Sequence, residues 1–298
     1  MSGLILGTAQ LGQRYGIANR TGQPDSETAS AIVRTAWERG IHGFDTAPSY
    51  GTSEQILGAS LAALGVRATA RVTSKLDAIP DGALQCGGVR SVLAMSRERL
   101  GVSTLDAVFV RRTLLPQWDV IVPALRDARD AGEIRAIGVS VYEPEEALAA
   151  IALPDVRVLQ LPANVLDHRF ADAGVFRAAA DHHVHIHIRS AFLQGLMLMD
   201  AASVPMALAA IRGPLARFAA LAETAGCARI ALALGWLRHQ YPSADVVVGA
   251  EVPAQVAELA DAWNVVLPPA ALAAIPMECR TSDATILNPH QWPTRTRV

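Results

Sequence analysis

"LDAVFVRRTLLPQWDVIVPALRDARDAGEIRAIGVS", residues 105–140, decides the fold. It opens on a short apolar run, "LDAVFV". A helical pattern follows over about 118–131, with Asp119 in its first turn, and the segment closes on a second short run, "IRAIGVS". A strand, a helix and a strand in that order make a parallel pair joined by a crossover. The same unit recurs in both directions along the chain. Upstream, "GLILGT" precedes a helix from about Ser26 to Arg39, "IHGFDT" one from Ser53 to Leu64, and "ARVTSK" one around 84–100. Downstream, "IRAIGVS" leads into a helix over 143–151, "VRVLQL" into one over 169–182, "VHIHIRS" into helical stretches over 205–240, and "ADVVVG" into one over 253–263. Eight such units in about 265 residues imply an α/β fold, a closed (β/α)8 or TIM barrel. An open doubly wound sheet is the alternative, but no Gly-x-Gly-x-x-Gly follows any strand. No linker divides the sequence, so residues 1–298 are expected to form a single domain, with residues 266–298 as a tail over one end of the barrel.

Composition narrows the function. The net charge of −2 and the absence of a basic block argue against nucleic acid as a partner. The three cysteines are odd in number and lack metal spacing, which fits a reduced, cytoplasmic setting. No leader-like segment opens the sequence and no apolar run is long enough for a membrane span, so no membrane partner is expected. The sequence assigns no oligomeric state.

The chemistry is carried by "GFDTAPSYGTSEQILG", residues 43–58. In a barrel of this kind reactive groups gather where the strands end. Asp45 ends the second strand, Tyr50 follows in the loop, and Lys75 ends the third. A tyrosine is a poor proton donor at neutral pH. A neighbouring ammonium lowers its pKa, and a carboxylate holds that ammonium charged and in place. Read singly, Asp45 could cap a turn, Tyr50 pack on a loop and Lys75 sit exposed. Read together on consecutive strand ends, they suit protonation of a carbonyl oxygen.

With "TSKL" at 73–76, this stretch resembles the signature of the aldo-keto reductases, and the likeness runs from Leu6 to about Glu258. The resemblance implies a (β/α)8 barrel that binds NADPH or NADH in extended form and reduces a small-molecule carbonyl substrate. Tyr50 would be the general acid, tuned by Lys75 and Asp45. "LGTAQLGQRYGIANRTGQP" and "RSAFLQGL" look similar to a bacterial branch associated with sugar metabolism.

The sequence departs from the pattern at three places. Where the family places a histidine, "LDAVFVRR" places Arg111, five residues after Asp106. Arg111 could orient a carbonyl oxygen, clamp a substrate anion, or be a rim arginine paired with an acid, and Arg112 beside it leaves the register open. Where the family stacks an aromatic ring on the nicotinamide stands Arg189. Where it holds a 2′-phosphate stand Glu251 and Val252, and a carboxylate suits a free ribose hydroxyl better than a phosphate. The remaining cofactor contacts implied by the resemblance are Ser140, Gln160, Ser190, Leu193, Gly249 and Gln255, with Asn164 on the same wall. Trp118, Tyr142 and the tail residues Asn288, His290 and Trp292 are candidates for the substrate pocket. His185 and His187 share one strand face, but no third ligand of suitable spacing is visible, so no metal is expected. Two other functions stay open: a cofactor-binding sensor, and non-redox acid–base chemistry on an anionic substrate.

Overall fold

The computed structural model describes residues 3–77 and 87–292. Eight strands close into one parallel barrel in sequence order. They are β1 (Leu4–Gly7), β2 (Gly43–Asp45), β3 (Arg71–Leu76), β4 (Leu105–Arg111), β5 (Ile134–Ser140), β6 (Val156–Pro162), β7 (His185–Arg189) and β8 (Asp245–Val248). The helices are α1 (Ala9–Gly12), α2 (Ser26–Glu38), α3 (Ser53–Ala63), α4 (Gly88–Leu100), α5 (Trp118–Asp130), α6 (Pro144–Ile151), α7 (Arg169–Asp172), α8 (Val175–Asp181), α9 (Arg212–Thr224), α10 (Arg229–Gln240), α11 (Pro253–Trp263), α12 (Pro269–Glu278) and α13 (Ala284–Leu287). The expected alternation therefore holds, with two differences. The helix expected over 169–182 is two helices, because Gly174 takes a left-handed φ of 76° between them. The helix expected from 84 begins at Gly88, and residues 84–86, including Cys86, lie outside the described residues.

Strand periodicity sorts the side chains. Val108 and Val110 of β4, Val139 of β5, Leu159 and Leu161 of β6, and Ile186 and Ile188 of β7 belong to the main apolar core that the barrel shares with its helices. The alternate set points inward, where Ala107, Phe109 and Val158 form a second, smaller cluster. Phe109 fills the interior because its neighbour in register is Gly138. A Cβ there would stand 2.6 Å from the Phe109 ring and 2.9 Å from the Val158 carbonyl oxygen.

Of the tail, α12 lies against α9, Arg217 donates to the carbonyl of Glu278 at 2.6 Å, and the Thr281 N–H reaches the Leu166 carbonyl at 3.1 Å. Trp292 is buried, with its indole N–H on the Ile286 carbonyl at 2.9 Å. Among the described residues no single helix is long and apolar enough to cross a membrane.

Candidate active site

The loop that carries Tyr50 is held from both sides. Ser53, the first residue of α3, donates to the Thr8 carbonyl at 2.8 Å and meets the Thr8 hydroxyl at 2.7 Å and that of Thr46 at 3.1 Å. Thr8 in turn donates through its amide and its hydroxyl to the Asp45 carbonyl, at 2.9 and 3.0 Å. Glu54, buried, accepts from the Ser74 hydroxyl at 2.8 Å and from Arg99 at 3.2 Å, fixing α3 to β3 and α4. Gly12 of α1 packs so close that a Cβ would fall 1.8 Å from the Tyr50 carbonyl oxygen. The serine and glutamate of the "TSEQILG" motif thus build the support, and the tyrosine stands on it.

Asp45 and Lys75 meet inside the barrel mouth. Lys75 Nζ donates to Asp45 Oδ2 at 2.6 Å and to the Thr46 carbonyl at 3.0 Å. Asp45 Oδ1 accepts from Gln160 Nε2 at 2.8 Å and from Thr73 Oγ1 at 3.2 Å. Burial alone would pull the Lys75 ammonium down, but the Asp45 carboxylate beside it leaves the pKa raised. Lys75 Nζ lies 5.1 Å from the centre of the Tyr50 ring. Lys75 acts on the Tyr50 pKa in the expected direction, but the net shift is the opposite one. Lys75 and Arg111 do act downward, yet burial of the phenol, with the Asp45 and Asp77 carboxylates adding to it, leaves the net shift upward. Tyr50 therefore holds its proton firmly.

Arg111 ends β4 and pairs with Asp77 through its Nε, while Nη2 approaches the Ser49 hydroxyl at 3.4 Å. Asp77 also accepts from the Ser49 amide at 3.2 Å. Arg112 turns outward to Glu146 at 3.1 Å, which resolves the register. Asp106, five residues before Arg111, accepts from the Val72 amide at 2.8 Å at the start of the strands, away from the mouth.

Asp45, Tyr50, Lys75 and Arg111 all line one cavity of about 700 Å³. It extends from them past the loop after β7 to the start of α11, within the size range of small-molecule and cofactor sites. The model of the aldo/keto reductase family matches residues 3–276. The chain belongs to the aldo/keto reductase family. It is 31% identical over 150 residues to D-arabinose 1-dehydrogenase of Saccharomyces cerevisiae, covering 48% of this chain and 43% of that protein. It is 27% identical over 202 residues to D-threo-aldose 1-dehydrogenase of a Pseudomonas species, covering 57% and 61%. The chain spans about half the length of the relatives it matches by sequence. Its fold matches that of the glycerol dehydrogenase of Gluconobacter oxydans with a TM-score of 0.72 at 24% identity, over 91% of this chain and 89% of the other.

Against the family pattern, Ser140, Gln160, Arg189, Ser190, Gly249, Glu251 and Gln255 all line the cavity. Leu193 does not: its side chain is fully buried in the core, and Phe192 and Gln194 reach the cavity instead. The cause is a tight bend, with Ser190, Leu193 and Gln194 all at positive φ. Asn164 braces that bend by donating to the Ser190 carbonyl at 3.2 Å. Arg189 stacks over Tyr142 at 4.0 Å and donates to the Val141 carbonyl at 2.8 Å. Glu251 accepts from the Thr21 hydroxyl at 3.2 Å, and its amide donates to Gln255 at 2.7 Å. Tyr142 and the tail residue Pro289 line the cavity, whereas Trp118, Asn288 and Trp292 are buried outside its lining. Tyr15, which sequence reasoning missed, is also part of the wall, and burial pushes its phenol up to about 12. Its only signal was its place in a long polar loop after β1. At the other end of the barrel the structure brings Asp245 to His185 and His187.

Proposed function

We propose that this protein is an NAD(P)H-dependent oxidoreductase that reduces a small aldehyde or ketone, with Tyr50 as general acid. The observation that carries the reading is the convergence of buried Asp45 and Lys75 with partly buried Tyr50 in a cavity that continues to Glu251 and Gln255. The donor set along that cavity fits a nicotinamide dinucleotide. Ser140 and Gln160, 3.4 Å apart, offer an amide-binding pair beside the reacting end. The bent segment from Ser190 to Gln194 and the narrow turn at Gly249, where a Cβ would stand 2.3 Å from Gln10, offer backbone to a pyrophosphate. Glu251 offers a carboxylate to a ribose diol.

Bound NAD(P)H supplies the hydride for the carbonyl carbon. Everything else falls to the chain's own groups. The Tyr50 hydroxyl donates its proton to the substrate oxygen as negative charge builds there. Lys75, anchored by Asp45 and Gln160, stabilises the phenolate that remains. Arg111 meets the same oxygen from the β4 side. Because Asp77 offsets its charge, the mouth suits a neutral polyhydroxylated aldehyde, and the sugar dehydrogenases among the relatives support that class. Arg189 on Tyr142 supplies a flat wall where a single aromatic ring would otherwise stand.

The test is Tyr50→Phe. Reduction should fall ~10²–10⁴-fold while cofactor affinity stays close to that of the parent. A variant that reduces carbonyls as fast as the parent would remove Tyr50 from this role.

A further inference from the structure

The N-terminal end of the barrel, opposite the mouth, holds a cluster that the proposed reaction leaves unused. His185 and His187 stand two residues apart on β7, so both point inward. Asp245 opens β8 directly across from His187 in the strand register. Asp245 Oδ2 lies 2.9 Å from His185 Nε2 and 3.8 Å from His187 Nε2. Its other oxygen, Oδ1, is taken by the Gly3 amide at 2.7 Å. A carboxylate–imidazole hydrogen bond accounts for His185. It does not account for His187, which is 7% exposed, forms no hydrogen bond to any described residue, and keeps its Nδ1 fully buried without a partner. Buried polar groups are ordinarily satisfied, so an imidazole held in this way calls for a reason.

We propose that His185, His187 and Asp245 form a site for a divalent transition-metal ion, Zn²⁺ by ligand type. One donor atom from each of the three residues lies within 4.8 Å of the others. A modest closing of that triangle brings them to ligand spacing around one ion. Two imidazoles and one carboxylate suit zinc and disfavour calcium or magnesium, which take oxygen ligands. The His185 side chain is 43% exposed, so the cluster opens to solvent on that side, which gives access and a water for the fourth position. The Gly3 amide on Oδ1 orients the carboxylate, as outer partners of metal ligands do.

The placement suits a staple. β7 and β8 pair through two residue pairs, against five between β6 and β7. The site joins β7 to β8 and, through Gly3, reaches the start of β1, where the barrel closes.

The experiment uses the full chain without a histidine tag, stripped with a chelator and titrated with Zn²⁺ against a chromophoric chelator. One equivalent should bind, and Co²⁺ in its place should give visible absorption of a low-coordinate site. Losing even an outer partner of a ligand costs ~10–100-fold in metal affinity, so His185→Gln and His187→Phe should each raise Kd for Zn²⁺ at least tenfold. His185→Gln is the decisive variant, because that side chain is half exposed and its loss leaves the fold intact. His183→Ala, on the exposed turn before β7, should change nothing. Zn²⁺ should raise Tm in the parent and not in His185→Gln. No saturable binding, or binding equally tight in His185→Gln and the parent, would overturn the site.

Discussion

Tyr50 shows how one residue answers to opposed influences. Lys75 and Arg111 favour its ionised form, burial disfavours it more, and the pKa rises above that of a free phenol. A general acid works in its protonated form, so with Tyr50 in the proposed role reduction would decline as pH climbs through that pKa. The kcat/KM for reduction should therefore stay level through neutrality and fall only above about pH 10. A pH–rate profile with a basic limb centred below about 9 would assign that limb to another group. At the other end of the cavity, Glu251 makes a second prediction. With a carboxylate in the proposed ribose pocket, NADPH should bind no more than about tenfold tighter than NADH, a difference of ~1.4 kcal/mol. Quenching of tryptophan fluorescence on titrating each nucleotide measures both constants. The charges around Tyr50 were legible in the sequence as spacing on strand ends. Burial was not, because it depends on segments distant in sequence, among them Tyr15, Tyr142 and the loop after β7, that line the same cavity.

The elements were more legible than the loops, for a physical reason. A strand buried on both faces must be an apolar run, and a helix packed on it must repeat every three to four residues, so both leave marks within one segment. The bend at Ser190, Leu193 and Gln194 leaves no such mark, so the sequence pattern points Leu193 to the cavity although its side chain lies in the core. Gly174, which splits α7 from α8, is one glycine in a helical pattern and reads as tolerable until its φ is known. Asp245 is 60 residues from His185 and meets it only when β7 and β8 pair. The contact between α1 and the start of α3 is equally silent in sequence, and it positions Tyr50. Gly12→Ala would place a Cβ 1.8 Å from the Tyr50 carbonyl oxygen and 2.4 Å from the Ser53 amide, so the two helices must part. Overpacking of this kind costs ~1–3 kcal/mol. Urea denaturation should show that loss of stability. Because the displaced loop carries the proposed acid, kcat should fall as well while cofactor affinity changes little. A stable variant with unaltered kcat would mean that α1 does not set the place of Tyr50.

At the scale of the whole molecule, the closed sheet and the site depend on each other. The cavity is lined by the segment after β1, by the ends of β2 to β6, by the loop after β7 and by the start of α11. Those segments come from nearly every strand–helix unit, so a ligand that fills the cavity ties the first unit to the last. Ala18 already donates to the Gln194 carbonyl at 3.4 Å, linking the loop after β1 to the loop after β7 across the cavity. Unfolding any one unit would dismantle the binding surface, and the unfolded chain would keep no affinity for the nucleotide. Binding should then stabilise the entire fold by mass action. At free nucleotide a hundredfold above Kd the gain is ~2.7 kcal/mol, which for a chain of this size raises Tm by about 5 °C. A thermal scan with and without NADH measures it. Tyr50→Phe should keep the full rise, because in the proposed role its hydroxyl serves the substrate and not the nucleotide. A rise confined to one part of a two-step unfolding curve would mean that the barrel opens in pieces, and that the loops over the cavity are coupled to only a few of its strands.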